Sequence, residues 1–217
     1  AAIDHARSKQ RPVHLIGLVS DGGVHSHLDH LQALIEMCRQ RGARPLLHMI
    51  TDGRDTLPQS AMYFIPEIEK QLHESGGAIA SITGRYYAMD RDKRWERTEL
   101  AWRALRLSKG EKGQCAETAI KAAYAAGDTD EFIKPILLST FEPMMEDDAV
   151  IFFNFRKDRP QQLAAALAYE QFDGFDRGDA GLVNLSCMMP YDASMPFPYA
   201  FVPEKPEWVI PYMEPFK

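Results

Sequence analysis

The feature that most constrains this chain is a rhythm in which short, almost wholly apolar runs alternate with stretches of helical periodicity. The runs at 13–19, 45–50, 78–82, 149–155 and 182–189 lack polar alternation, the pattern of strands covered on both faces. All are far shorter than the roughly 20 apolar residues that cross a bilayer. Between most of them apolar positions recur at helical spacing. In 27–41, Leu28, Leu31, Leu34, Ile35 and Cys38 share one face and Gly42 follows as a stop signal. The segments 59–74, 92–107 and 117–126 read the same way, the first of these running into Gly76 and Gly77. Alternating strands and helices of this length imply right-handed crossovers. The expected fold class is α/β, an open, mainly parallel sheet of about five strands with helices on both faces. Ligands of such sheets collect outside the carboxyl ends of the strands, so chemistry is to be sought directly after each run.

The chain of 217 residues is the size of one ordinary domain. Its net charge of -6, from 25 basic and 31 acidic side chains, argues against a global positive field for nucleic acid. No membrane span is visible. The opening AAIDHARSKQ has no apolar signal core, and Cys38, Cys115 and Cys187 are odd in number and far apart, unlike a disulfide framework or a zinc knuckle. A reducing, cytoplasmic setting is expected. Pro196, Pro198, Pro203, Pro206, Pro211 and Pro215 break any regular element near the end. The expected division is a domain over 1–194 and a Pro-rich tail or hinge over 195–217. The chain also opens inside a helix-like IDHARSK without a cap, so both ends read as cut from something larger.

Four strand ends carry the polar signal. After the first run comes SDGGVHSH, where two glycines before a helix suit an anion, although a Gly-Gly turn is as readily structural. His25 and His27 fit metal ligation or, more often, one surface and one capping histidine. After the second run TDGRD sets Arg54 beside Asp52 and Asp55, either as an ion pair or as a phosphate or carboxylate clamp with a carboxylate for proton transfer. After the third, GRYYAMDRDKRW gathers Arg85, Arg91, Lys93 and Arg94 in an acidic chain, either a solvated face or a local focus for a small anion. After the fourth, NFRKDR places Arg156 and Arg159 three apart, one at the strand end and one in the first helical turn. That end of a helix favours acids, so two arginines there suggest a bound anion. Each motif is ambiguous alone; together they predict one anionic ligand held at one edge of a sheet.

LIGLVSDGGVHSHLDHL, ITDGRDTLPQSA, SITGRYYAMDRDKRWER and FFNFRKDRPQQL, in this order, resemble the cofactor-independent phosphoglycerate mutases over roughly 1–192. The resemblance is to the inserted phosphotransferase, or substrate-binding, domain of these enzymes alone. It implies a glycolytic and gluconeogenic isomerase interconverting 3-phosphoglycerate and 2-phosphoglycerate. The chemistry would pass through a phosphoserine formed in a separate phosphatase-like domain that holds two manganese ions. By the same resemblance His25, Arg54, Asp55, Arg85, Arg91, Arg156 and Arg159 contact substrate. Asp55 and His25 are the catalytic pair, Asp55 handling the hydroxyl proton. No metal ligand is implied within this chain, Ser20 and Ser26 are not phosphoryl acceptors, and the expected form is a monomer inactive without its phosphatase-like partner domain.

Two other readings compete. A metal-dependent hydrolase suggested by His25-Ser26-His27 needs further ligands at later strand ends and usually about 250 residues or more for its barrel, whereas His48 falls in a strand and His73 in a helix. A non-catalytic module sensing a small phosphorylated metabolite would use the same arginines.

Overall fold

The computed structural model describes residues 1–202. The expected strands all form: β1 (Val13–Leu18), β2 (Pro45–Thr51), β3 (Ala78–Gly84) and, after two short additions, β6 (Ala149–Phe152) and β7 (Asn184–Cys187). Every residue of β1, β2 and β6 is buried, as continuous apolar runs require. The additions are β4 (Glu111–Lys112) and β5 (Ile136–Leu137), which make a seven-stranded sheet in the order β4-β5-β3-β2-β1-β6-β7. The five expected strands are contiguous and parallel; β5 joins β3 antiparallel and carries β4 alongside. Two-residue strands are too short to register as periodicity, which is why the sheet is wider than its sequence implies.

Helices α1 (Ala2–Ser8), α2 (Leu28–Gln40), α3 (Ile65–Glu74) and α6 (Ala116–Ala125) cover one face of the sheet with Leu31, Ile35, Ile68, Leu72 and Ile120. On the other face lie α4 (Arg85–Ala88), α5 (Trp95–Leu107) and α7 (Gln161–Ala168), packed through Trp102, Leu105, Leu163 and Leu167 against Ile16, Leu18, Ile50 and Phe152. Helix α4, a single turn, was not expected. A helix was expected after the fourth run with Arg159 in its first turn; α7 forms there but begins at Gln161, and it is buried continuously from Gln162 to Leu167, so no polar stripe marks its bounds. Helix α5 begins at Trp95 rather than 92 because Asp90 Oδ2 accepts the N–H groups of Asp92 and Arg94, both at 3.0 Å. That leaves Lys93 in a left-handed turn with φ 57°.

Strand β6 also stops early. The Asn154 side-chain oxygen accepts the Leu18 N–H at 2.9 Å, and the Phe155 N–H donates to the His25 carbonyl at 2.9 Å, so the chain leaves the ladder after Phe152. Within the expected tail, Tyr199 bridges Cys187 in parallel and the Ala200 N–H donates to the Cys187 carbonyl at 2.9 Å; residues 203–217 of that segment lie outside the described residues. Cys38 and Cys187 are buried and Cys115 is exposed, all as free thiols.

Candidate active site at the switch point of the sheet

Strand β1 lies between β2 and β6, so the order of the sheet reverses there and a crevice opens beyond the carboxyl ends of these strands. Loops after β1, β2, β3 and β6 deliver every expected site residue to that edge.

The loop after β2 is organised by Asp52, which is 2% exposed. Its Oδ1 accepts the backbone N–H groups of Arg54 at 3.1 Å and Asp55 at 2.9 Å, an aspartate turn, and its Oδ2 accepts the Ser20 hydroxyl at 2.7 Å. Gly53 is required at the bend: its φ is +67°, and a Cβ there would come within 2.8 Å of the Glu131 backbone nitrogen. Into this turn comes Arg85, the first residue of α4 and 2% exposed, with Nη1 donating to Asp52 Oδ1 at 2.7 Å and Asp55 Oδ2 at 2.6 Å. Burial opposes charge on both partners. For Asp52 the Asp55 N–H, the Ser20 hydroxyl and Arg85 outweigh it and lower the pKa; for Arg85 the Asp55 and Asp52 carboxylates raise it. The two carboxylates of TDGRD therefore divide the work, Asp52 as a buried clamp and Asp55 at the edge. Sequence motif alone left both open.

His25 is 3% exposed and sits between two carboxylates, Nε2 at 3.8 Å from Asp55 Oδ2 and Nδ1 at 3.6 Å from Asp158 Oδ1. Burial, followed by the charge of Arg85, lowers its pKa to about 4. His25 is therefore neither a surface nor a capping histidine. His27 is the cap, its Nδ1 accepting the Asp29 N–H at 3.3 Å at the start of α2.

Arg156 and Arg159 do not converge as the three-residue spacing suggests, because α7 starts only at Gln161. Arg159 donates to the Met89 carbonyl at 3.2 Å and faces a cleft; Arg156 turns to Asp158, Nε to Oδ1 3.0 Å. Arg91 Nη1 donates to the other oxygen of Asp158 at 2.8 Å. The cleft, of about 360 Å³, is lined by Arg54, Arg85, Arg91, Arg94, Arg97 and Arg159 against only Asp90, Asp92 and Glu131 as acids. Arg54 is 55% exposed and touches Glu131 at 3.3 Å. Arg97 lies 3.8 Å over the Tyr86 ring. Burial and then the charges of Arg85, Arg91 and Arg54 lower the pKa of Arg159. Like charges so placed are stabilised by an anion between them. His25, Asp55 and Arg156 do not line the cleft; they are joined to it through Arg85 and Asp158. Ser20 and Ser26 are buried, with hydroxyls donating to Asp52 and to the Leu18 carbonyl at 2.7 and 2.5 Å.

Residues 1–193 match the family model described as the BPG-independent PGAM N-terminus. The chain belongs to this family. It is 46% identical over 218 residues to the 2,3-bisphosphoglycerate-independent phosphoglycerate mutase of Myxococcus xanthus, covering 97% of this chain and 42% of that one. The corresponding enzyme of Symbiobacterium thermophilum is 47% identical over 207 residues, covering 93% and 40%. A crystal structure of Leishmania mexicana phosphoglycerate mutase at low cobalt concentration superposes with a TM-score of 0.82 at 34% identity, covering 88% of this chain and 38% of that one. This phosphoglycerate mutase domain thus spans about two fifths of the length of the curated relatives it matches. Among its described residues no three His, Cys, Asp or Glu side chains gather into a metal-holding group, and no helix is long and apolar enough to cross a membrane.

Asp158 and Asp52 escaped the sequence reading as site residues, although both stand inside the quoted motifs. The sequence around them, Lys157 and Arg159 beside Asp158 and a Gly-Arg-Asp turn after Asp52, gave no signal that would separate a clamp from a solvated charge. Arg97, on α5, was hidden because its reach depends on where that helix packs.

Proposed function

We propose that this chain is the substrate-binding, phosphotransferase domain of a phosphoglycerate mutase that interconverts 3-phosphoglycerate and 2-phosphoglycerate in glycolysis and gluconeogenesis. The observation that carries this reading is the arginine cleft at the switch point, joined through Arg85 to Asp55 and His25. A small ligand with a phosphate and a carboxylate suits six arginines facing three acids. Arg54, Arg85, Arg91, Arg156 and Arg159, with His25, hold the two anionic groups. Asp55 takes the proton of the attacking glycerate hydroxyl as it accepts the phosphoryl group from a serine of the phosphatase-like domain, and returns a proton in the reverse step. Holding the glycerate while it reorients exchanges the positions of the two hydroxyls without releasing the intermediate. The phosphatase-like domain supplies the serine and two manganese ions; no metal-holding group gathers among the described residues of this chain, whose own part is retention, orientation and proton handling. Residues 1–194 form that unit, with 195–217 as the hinge toward the partner domain. We take the protein as a cytoplasmic monomer.

The test is calorimetric titration of the chain with 3-phosphoglycerate in chelator-treated buffer. Saturable binding that Arg54→Ala weakens at least tenfold supports the reading; binding that survives both Arg54→Ala and Arg159→Ala overturns the assignment of these arginines. The competing module reading is separated by adding the phosphatase-like domain in trans, where turnover measured through coupled enolase favours the enzyme.

A further inference from the structure

His25 and Asp158 each carry a buried atom without a hydrogen-bond partner, and the two atoms face each other. They are His25 Nδ1 and Asp158 Oδ1, 3.6 Å apart. On the other side of the ring, Nε2 lies 3.8 Å from Asp55 Oδ2, an oxygen that already accepts Arg85 Nη1 at 2.6 Å. Buried beside Arg85, the ring is neutral at pH 7 and has a single N–H. That proton has two carboxylates available. The Asp55 oxygen is supplied with a donor; the Asp158 oxygen has only an ion contact to Arg156 Nε at 3.0 Å. Proton on Nδ1 satisfies both unpartnered atoms after a closure of roughly half an ångström, within the slack usual for a site without ligand. Either tautomer sets one lone pair against a carboxylate: with the proton on Nδ1 it faces Asp55 Oδ2 at 3.8 Å, an oxygen already holding the Arg85 donor, whereas with the proton on Nε2 both Nδ1 and Asp158 Oδ1 stay unpartnered at 3.6 Å. The backbone couples the two residues as well, since the His25 carbonyl accepts the N–H groups of Phe155 at 2.9 Å and Arg156 at 3.3 Å, just ahead of Asp158.

We propose that Asp158 is a positioning residue that holds the His25 proton on Nδ1 and so presents a bare Nε2 beside Asp55. This deepens the function proposed above and rests on its placing His25 and Asp55 at the reacting hydroxyl. It also narrows the share of His25. A bare Nε2 accepts, so the ring meets the ligand through a hydroxyl or a protonated phosphate oxygen, and the anionic oxygens fall to the arginines. Asp158 bridges two of these, Arg91 and Arg156, with its other contacts, so a single carboxylate orients the acceptor and spaces the cations around it.

The experiment is long-range nitrogen–proton correlation spectroscopy on the 15N-labelled 217-residue chain near neutral pH, with His25 assigned by His25→Gln. The expected spectrum has Nδ1 protonated and Nε2 bare, and Asp158→Ala moves the proton to Nε2. A wild-type ring protonated on Nε2 or on both nitrogens, or a proton that stays on Nδ1 in Asp158→Ala, overturns the proposal. Should Asp158→Ala not fold, the wild-type spectrum and Asp158→Ser carry the same test. No phosphoglycerate and no partner domain enter the measurement, so failure of the substrate assignment and failure of this inference are read separately.

Discussion

Arg54 and Arg85 bring the same charge to the same cleft, yet their removal has different consequences. Arg54 is more than half exposed, so Arg54→Ala is expected to weaken phosphoglycerate binding at least tenfold with a stability change within about 0.5 kcal/mol. Arg85 is buried against two carboxylates. Arg85→Ala leaves Asp52 and Asp55 without their cation, Asp52 away from water, and is expected to destabilise by about 3 kcal/mol, read as a lowered melting temperature alongside lost binding. Equal loss of stability in both variants would contradict this division. His25 sets the acid limit. Its folded pKa of about 4 lies below the ordinary 6.5, so the unfolded chain binds the extra proton first. The stabilisation from burying a neutral ring is complete above pH 6.5 and is lost as pH falls toward 4, at most about 3 kcal/mol. Stability measured by denaturant across that interval is expected to fall less steeply in His25→Gln than in the parent. At this scale the motifs named which residue types would gather, but which carboxylate is buried and which is presented was not legible, because Asp52 and Asp55 differ in their surroundings and not in their chemistry.

Elements formed where an apolar period could be read and were missed where it could not. Helices α2 and α5 bury a stripe and announce it; the two-residue β4 and β5 do not, and α7, buried almost throughout, was legible from the strand-to-helix junction before it but not in its bounds. Interruptions came from polar side chains reaching across the chain, Asp90 delaying α5 and Asn154 ending β6. Inside runs that read as plain strands, His14 and His48 stack and join a buried polar line. His14 Nδ1 is 2.9 Å from His48 Nε2, and His48 Nδ1 is 2.8 Å from the Ser81 hydroxyl. The largest fully buried side chain on the face beneath the site is Trp102 of α5, 1% exposed. Trp102→Ala is expected to cost about 3 to 5 kcal/mol, seen as a lower denaturant midpoint with unchanged slope, while a variant still binding phosphoglycerate below its transition would show that this packing acts on stability and not on ligand contact.

Over the whole molecule, a net charge of -6 coexists with a cleft of six arginines. Phosphoglycerate affinity is therefore expected to drop several-fold from low to high ionic strength, with little change in melting temperature; affinity indifferent to salt would mean the arginines are not the ligand's main partners. What the sequence by itself determined is the parallel core, its covering by helices on both faces and the edge at which the expected site residues gather. Those follow from local periodicity and from the handedness of crossovers, which are written in neighbouring residues. What only the tertiary structure decided is the reversal of strand order at β1, which brings a loop from residue 25 against one from residue 158. Which arginine faces the cleft and which faces Asp158 is set by that long-range packing, because side chains far apart in the chain compete there for the same few acceptors.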